Sequence, residues 1–202
     1  MAQTTALQKQ YFPSTKPLPG VPELLKKLHE DGVDLALATS SNRGNFRLKT
    51  NHLKELFAVF PEVNRVTGDD ERVPQGKGKP APDIYLLALK TVNQAQKDRG
   101  EAGDIEPSEC LVFEDSVPGV ESGRRAGMQT VWCPHPELLK EYQGREKKVL
   151  AGLTGEHKEE MQPVEELNSD QVPGTPGNID DGWAVLLHSL ERFPYSRYGL
   201  KD

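Results

Sequence analysis

Cysteine is scarce in this chain of 202 residues, with Cys110 and Cys133 the only two. Two thiols cannot build the disulfide framework of a small secreted domain. Each sits in an apolar run, so both are expected as buried thiols in a reducing compartment, with the cytoplasm as the default location. Long apolar runs are missing as well. No stretch approaches the ~20 apolar residues needed to cross a bilayer, and the opening MAQTTALQKQYF has no basic segment followed by an apolar one, which argues against a membrane span and against secretion. Positive charge is in deficit: 25 Lys and Arg against 31 Asp and Glu leave a net charge of −6. No broad basic field exists to hold nucleic acid, and an anionic ligand must be met by a few local donors. The five histidines are scattered without metal-ligand spacing.

What remains is a polar chain, with mean hydropathy −0.64 and 35% apolar residues, that is still richer in Val, Leu and Ile than a disordered one. Leu24, Leu25 and Leu28 recur at helical spacing before Gly32, and VDLALA, Val33 to Ala38, follows as a strand expected to be buried on both faces of a parallel sheet. Asn45 to Leu56 is expected to be helical. Asp83 to Lys97 places Ile84, Leu87, Ala88 and Val92 on one face of a helix opened by Pro82. CLVF, Cys110 to Phe113, and QTVWC, Gln129 to Cys133, are further short strands, with a helix from Gly119 to Ala126 between them and a stop at Gly127. This rhythm of strand, polar loop, helix and strand predicts an α/β doubly wound domain with a Rossmann-like parallel sheet. From Gly144 to Asp181 Lys, Glu, Gln, Pro and Gly dominate, which predicts a flexible surface insertion. AVLLHSL, Ala184 to Leu190, returns as an edge strand or short helix, with Phe193, Tyr195 and Tyr198 behind it.

Three polar clusters follow strands or open helices: Thr39-Ser40-Ser41-Asn42, the loop Gly76 to Asp83 with Lys77 and Lys79, and Glu114-Asp115-Ser116. In one parallel sheet all three would converge on one edge. A hydroxyl beside free backbone N–H groups, a lysine in a Pro-rich loop and paired carboxylates suit a phosphate held together with a divalent cation. Each cluster alone has an ordinary reading. Thr39 or Ser40 caps a helix, Lys79 is a solvated lysine, and Glu114-Asp115 complements a helix dipole. The order and spacing of all three favour the phosphate reading. Lys79 is preferred to Lys77 because Pro80-Ala81-Pro82 restrains it, whereas Lys77 lies between Gly76 and Gly78.

LALATSSN, GKPAPDIY and LVFEDSVPGVESGRRAGM resemble the second, third and fourth motifs of the haloacid dehalogenase superfamily. ALATSSNRGNFRLKT, GDDERV and VFEDSVPGV are similar, within it, to the pseudouridine-5′-phosphatase group and its fungal relatives. The resemblance runs from about Pro17 to Pro134. It implies a small phosphorylated metabolite, such as a nucleoside or sugar phosphate, as substrate and Mg2+ as cofactor. By this resemblance Thr39 and Lys79 serve catalysis, and Thr39, Ser40, Ser41 and Lys79 hold the substrate phosphate. Asp115 ligates the metal, with Glu114 supporting it directly or through water. Positioning and charge neutralisation are what phosphoryl transfer asks of a protein.

The family's first motif, a strand ending in Asp-x-Asp-Gly-Thr that supplies the nucleophile and the acid/base, has no counterpart. Asp31 to Asp34 precedes a strand instead of ending one, Asp69-Asp70 has the wrong spacing, and Asp180-Asp181-Gly182 follows no apolar run. The resemblance therefore implies a core that lacks its central first strand and most of its cap. The expected divisions are a helical cap remnant at 1–16, a core at 17–143, the insertion at 144–181 and a C-terminal strand and tail at 182–202. The expected function is a phosphatase of this family, truncated at its N-terminus and inactive as this chain, and monomeric when completed. The rival is a non-catalytic phosphate- or metabolite-binding remnant. A true dehalogenase ranks below both, and neither nucleic acid nor membrane is expected as a partner.

Overall fold

The computed structural model describes residues 2–154 and 176–201. Of the expected insertion, 155–175 lies outside the described residues. The chain divides into two compact units, the first made of Met1–Val73, Leu87–Ala102 and Ser189–Asp202, the second of Pro74–Leu86 and Gly103–His188.

The first unit opens with α1 (Ala2–Tyr11) and α2 (Val21–Glu30). Leu24 and Leu28, one turn apart on α2, are both buried, as the helical spacing of the leucines requires. VDLALA is corrected here. Only Leu37–Ala38 forms a strand, β1, and Val33 to Ala38 are half-buried rather than buried on both faces. The reason is the partner. β1 pairs in parallel with β2 (Arg65–Val66), which is itself two residues long, so the ladder holds only Leu37 against Arg65 and Ala38 against Val66. A 3-10 turn at Glu62–Asn64 precedes β2 and Gly68 turns the chain after it, which fixes that length. The single helix expected over Asn45 to Leu56 is two, α3 (Arg43–Thr50) and the short α4 (Lys54–Phe57). Phe193, buried, stacks on Tyr198 at 5.1 Å and meets the edge of Tyr195, so the aromatic tail packs on itself.

Helix α5 (Asp83–Asp98) begins in the second unit and ends in the first. Ile84, Ala88 and Val92 on its apolar face are buried, as expected. The second unit is built on three parallel strands, β3 (Leu111–Glu114), β4 (Gln129–Trp132) and β5 (Ala184–Leu186), with β4 in the middle. Thr130, Val131 and Trp132 of β4 are all buried because the strand is paired on both edges and covered on both faces. Of AVLLHSL, only Ala184–Leu186 is strand, at the edge of this sheet, and Leu187 to Leu190 lie beyond it. Between β3 and β4 runs α6 (Val117–Arg125), which starts two residues earlier than the sequence suggests because Pro118 is accommodated in its first turn.

Two short helices follow, α7 (Pro136–Glu141) and α8 (Glu146–Leu150). The second overturns part of the expected surface insertion: Val149 is 1% exposed in a core with Val117, Val120 and Trp132. A five-residue helix offers too few positions for a visible period, and Val149 packs with help from the adjoining Leu150. Arg124, fully buried on α6, reaches Asp181 through two hydrogen bonds and fastens the segment before β5. Cys133 is buried, but Cys110 is only half-buried because it lies ahead of β3 rather than inside it. Burial raises both thiols, Cys110 to about 11 with the Glu109 charge adding, so neither is a ready thiolate. Among the described residues no helix is long and apolar enough to cross a membrane.

Candidate functional site

The clusters expected along one sheet edge fall on two sheets, Thr39 to Asn42 following β1 and Glu114-Asp115 at the end of β3. In the first unit, β1 leads directly into Thr39-Ser40-Ser41-Asn42. The Thr39 N–H donates to the Val66 carbonyl at 3.0 Å, carrying the ladder one residue past the strand. The Thr39 hydroxyl accepts from the Ser41 N–H at 3.2 Å, while the Ser40 N–H donates to no acceptor among the described residues. Helix α3 is capped by Asn42, whose side chain accepts from the Asn45 N–H at 2.8 Å. Neither Thr39 nor Ser40 is the cap, and the ordinary reading of these two residues does not hold. The Ser41 hydroxyl accepts from Lys49 at 3.0 Å.

The loop after β2 supports this turn. Gly68 donates to the Ser41 carbonyl at 2.9 Å, and a Cβ at Gly68 would run into the Ser40 backbone, so only glycine permits the approach. Asp69 accepts from the Arg43 N–H and the Thr67 hydroxyl, both at 2.8 Å. Those donors hold its carboxyl below the usual range. Gly68 and Asp69 of GDDERV therefore brace the turn, a role the sequence reading did not give them.

In the second unit the structure brings Lys79 and Glu114 together. The Lys79 ammonium donates to Glu114 Oε1, and both side chains are nearly buried. The Tyr85 hydroxyl donates to the same oxygen. Glu114 Oε2 accepts from the Ser116 N–H at 3.2 Å and the Ser116 hydroxyl at 3.0 Å. Ser116 is in turn the cap of α6, accepting from the Gly119 N–H at 3.2 Å. Burial pushes the Glu114 carboxyl up, but the Lys79 charge and these hydrogen bonds more than offset it and hold the carboxyl below its ordinary value. Tyr85 is pushed the other way, well above 10, by burial and then by the Glu114 charge. Sequence reasoning missed Tyr85, which sits six residues after Lys79 in GKPAPDIY and meets Glu114 because α5 starts at Asp83.

Lys79 is held from the backbone side too. Lys79-Pro80 is a cis peptide, the Ala81 N–H donates to the Gly78 carbonyl at 3.0 Å, and the Ala81 carbonyl accepts from the buried Ser122 hydroxyl of α6 at 2.7 Å. Asp115, next to Glu114, is exposed, and its backbone carbonyl accepts from the Trp132 indole N–H at 3.3 Å. As a metal site this donor set is incomplete. Both Glu114 oxygens are engaged by three side chains and a backbone N–H, so the exposed Asp115 is the neighbouring carboxylate that a cation could reach. No group of three or more His, Cys, Asp or Glu that could hold a metal occurs among the described residues. Mg2+ requires six oxygens in near-octahedral geometry, so the residues present do not by themselves fit it.

A family model described as haloacid dehalogenase-like hydrolase matches residues 6–127. The chain belongs to that family. The haloacid dehalogenase-like chain is 42% identical over 198 residues to a protein of Saccharomyces cerevisiae named probable pseudouridine-5′-phosphatase, covering 98% of this chain and 68% of that one. It is 35% identical over 153 residues to the mitochondrial (DL)-glycerol-3-phosphatase 1 of Arabidopsis thaliana, covering 76% of this chain and 47% of that one. A solved haloacid dehalogenase hydrolase of family IA, variant 3, from Entamoeba histolytica shares the fold, with a TM-score of 0.61 at 20% identity over 98% of this chain and 66% of that one. The chain thus spans about half to two thirds of the length of these relatives.

Proposed function

We propose that this chain supplies the phosphate-binding and charge-neutralising part of a phosphatase acting on a small phosphorylated metabolite. The observation that carries the reading is the nearly buried Lys79–Glu114 pair, locked by Tyr85 and Ser116. Glu114 fixes the direction of the ammonium and offsets the cost of burying it, so Lys79 is set in place before any phosphate arrives. The Thr39 hydroxyl proton and the Ser40 N–H are the donors expected to meet phosphoryl oxygens. Support for the substrate class comes from the names of the two relatives. Their substrates differ in the alcohol and share the phosphate monoester, the one group these donors address. Asp115 contributes at most one carboxylate toward Mg2+, and no step is derived through the metal.

The rival reading, a phosphate-binding remnant without turnover, is favoured by one feature of the sequence: the 202 residues contain no Asp-x-Asp-Gly-Thr. Both readings require phosphate binding, so that is the first test. Inorganic phosphate titrated calorimetrically into the chain is expected to bind, and Lys79→Ala and Thr39→Val each to weaken it by about tenfold, the worth of one charge-assisted hydrogen bond. Lys77→Ala is expected to leave it nearly unchanged. Absence of phosphate binding, or equal losses for the two lysine variants with both folded by circular dichroism, overturns the assignment.

A further inference from the structure

The first unit holds a cleft of about 560 Å³ whose charge runs against that of the whole chain, with Arg43 and Thr67 of its lining bordering the Thr39–Asn42 turn. It is formed by α3, α4 and β2. Four cations line it, Arg43, Arg47, Lys54 and Arg65, against the single carboxylate of Glu62, although the chain carries a net charge of −6. Arg47 and Lys54 are exposed, and their side chains have no ion-pair or hydrogen-bond partner among the described residues. Arg65 differs: it donates to the Phe60 carbonyl at 2.9 Å and the Phe57 carbonyl at 3.0 Å, pinning the end of α4 while keeping its charge. Phe46 and Phe57 meet edge to face at 5.6 Å and give the cleft an aromatic wall.

Glu62, and for Arg43 the neighbouring Asp69 and Asp70, offset part of this charge; the excess at Arg47 and Lys54 attracts an anion, and a cleft focuses that field more than a flat surface does. Arginine presents paired N–H donors that match phosphate oxygens. The phenylalanine wall adds an apolar face suited to a flat ring, and the volume lies within the ~300–1,000 Å³ of small-molecule sites. Arg47 and Lys54 stand on successive helices α3 and α4, so two separate elements direct free cations to one place. A merely solvated basic surface needs neither the concavity nor the aromatic pair.

We infer that this cleft is a second ligand site, for a small polyanionic phosphate that carries a ring, the chemistry of a nucleoside diphosphate. The ring lies against Phe46 and Phe57, and the phosphates are met by Arg47 and Lys54. The site belongs to the first unit alone and does not depend on turnover.

ADP titrated into the full chain in EDTA at low salt tests it. ADP is expected to bind more tightly than pyrophosphate, because only ADP reaches the aromatic wall. The double variant Arg47→Ala/Lys54→Ala is expected to lose about tenfold or more of that affinity, as two charge-assisted contacts require. Both side chains are exposed, so the fold should hold, and inorganic phosphate should still bind the double variant through Lys79. Lys79→Ala should keep its affinity for ADP. Equal binding of ADP by the wild type and the double variant overturns the proposal. So does ADP binding no tighter than pyrophosphate, or loss of ADP binding in Lys79→Ala, which would place ADP at the other phosphate site.

Discussion

Gly119 leaves the space that the Glu114 carboxylate occupies: a Cβ on Gly119 would overlap the carboxylate carbon and both of its oxygens. On an exposed helix, glycine to alanine gains about 1 kcal/mol. Here the sign should reverse. Gly119→Ala is expected to cost about 1–3 kcal/mol, the usual price of overpacking, read as a lower urea midpoint. Phosphate affinity should fall with it, because Lys79 takes its direction from Glu114. A variant as stable as the wild type would mean that Glu114 has another place to go.

Lys79 and Glu114 should behave as one unit. Removing either partner strands a buried charge, so Lys79→Met and Glu114→Gln are each expected to destabilise by about 3 kcal/mol or more. The double variant is expected to be clearly less destabilised than the sum, with a coupling of about 1–3 kcal/mol in a denaturant-based cycle. Additive losses would show that Tyr85 and Ser116, not Lys79, account for the placement of Glu114.

Asp181 ties acid sensitivity to its contact with Arg124. Burial pushes its carboxyl up, but the hydrogen bonds from Arg124 and the Trp183 N–H, with the Arg124 charge, hold it below its ordinary 3.8. A carboxyl depressed in the folded state contributes stability above its unfolded value and loses it as pH falls through the folded one. Asp181→Asn is therefore expected to be less stable than wild type at pH 7. The gap should close on acidification from about pH 5 downward. Unfolding midpoints across that range check it, and a constant gap would show that the carboxyl's charge is not what holds Arg124.

The sequence reading went furthest where chemistry and period coincide. β4 was legible because β-branched Thr130 and Val131 lead into Trp132 and Cys133, with Gly127 and Pro134 bounding the run. The motifs singled out Lys79 and Glu114, which the structure brings into contact, but not the other partners of Glu114. Tyr85 and Ser116 reach it through the register of α5 and the cap of α6, which depend on tertiary placement. Val149 was missed for want of a period, and β1 was overextended because its length is set by β2 and not by its own apolar run. The cleft between α3 and α4 gave no sequence signal, since Arg43, Arg47, Lys54 and Arg65 are dispersed among other charges and meet only where the helices turn.

The last expectation concerns turnover by the chain as it stands. Asp115, next to Glu114 in sequence, is exposed and is the carboxylate there that a substrate could reach. If it did more than lend an oxygen to a cation, it would have to accept the phosphoryl group. It lies one residue beyond the end of β3, and its neighbour Glu114, whose carboxyl is held ionised and fully bonded, is unsuited to protonate a departing alkoxide. Phosphate binding should thus survive where hydrolysis does not. The purified chain is expected to release phosphate from p-nitrophenyl phosphate, and from nucleoside and glycerol monophosphates, no faster than Asp115→Asn, with or without Mg2+. Mg2+-dependent release by the wild type that the Asn variant lacks would make Asp115 part of a working centre and remove the remnant reading altogether.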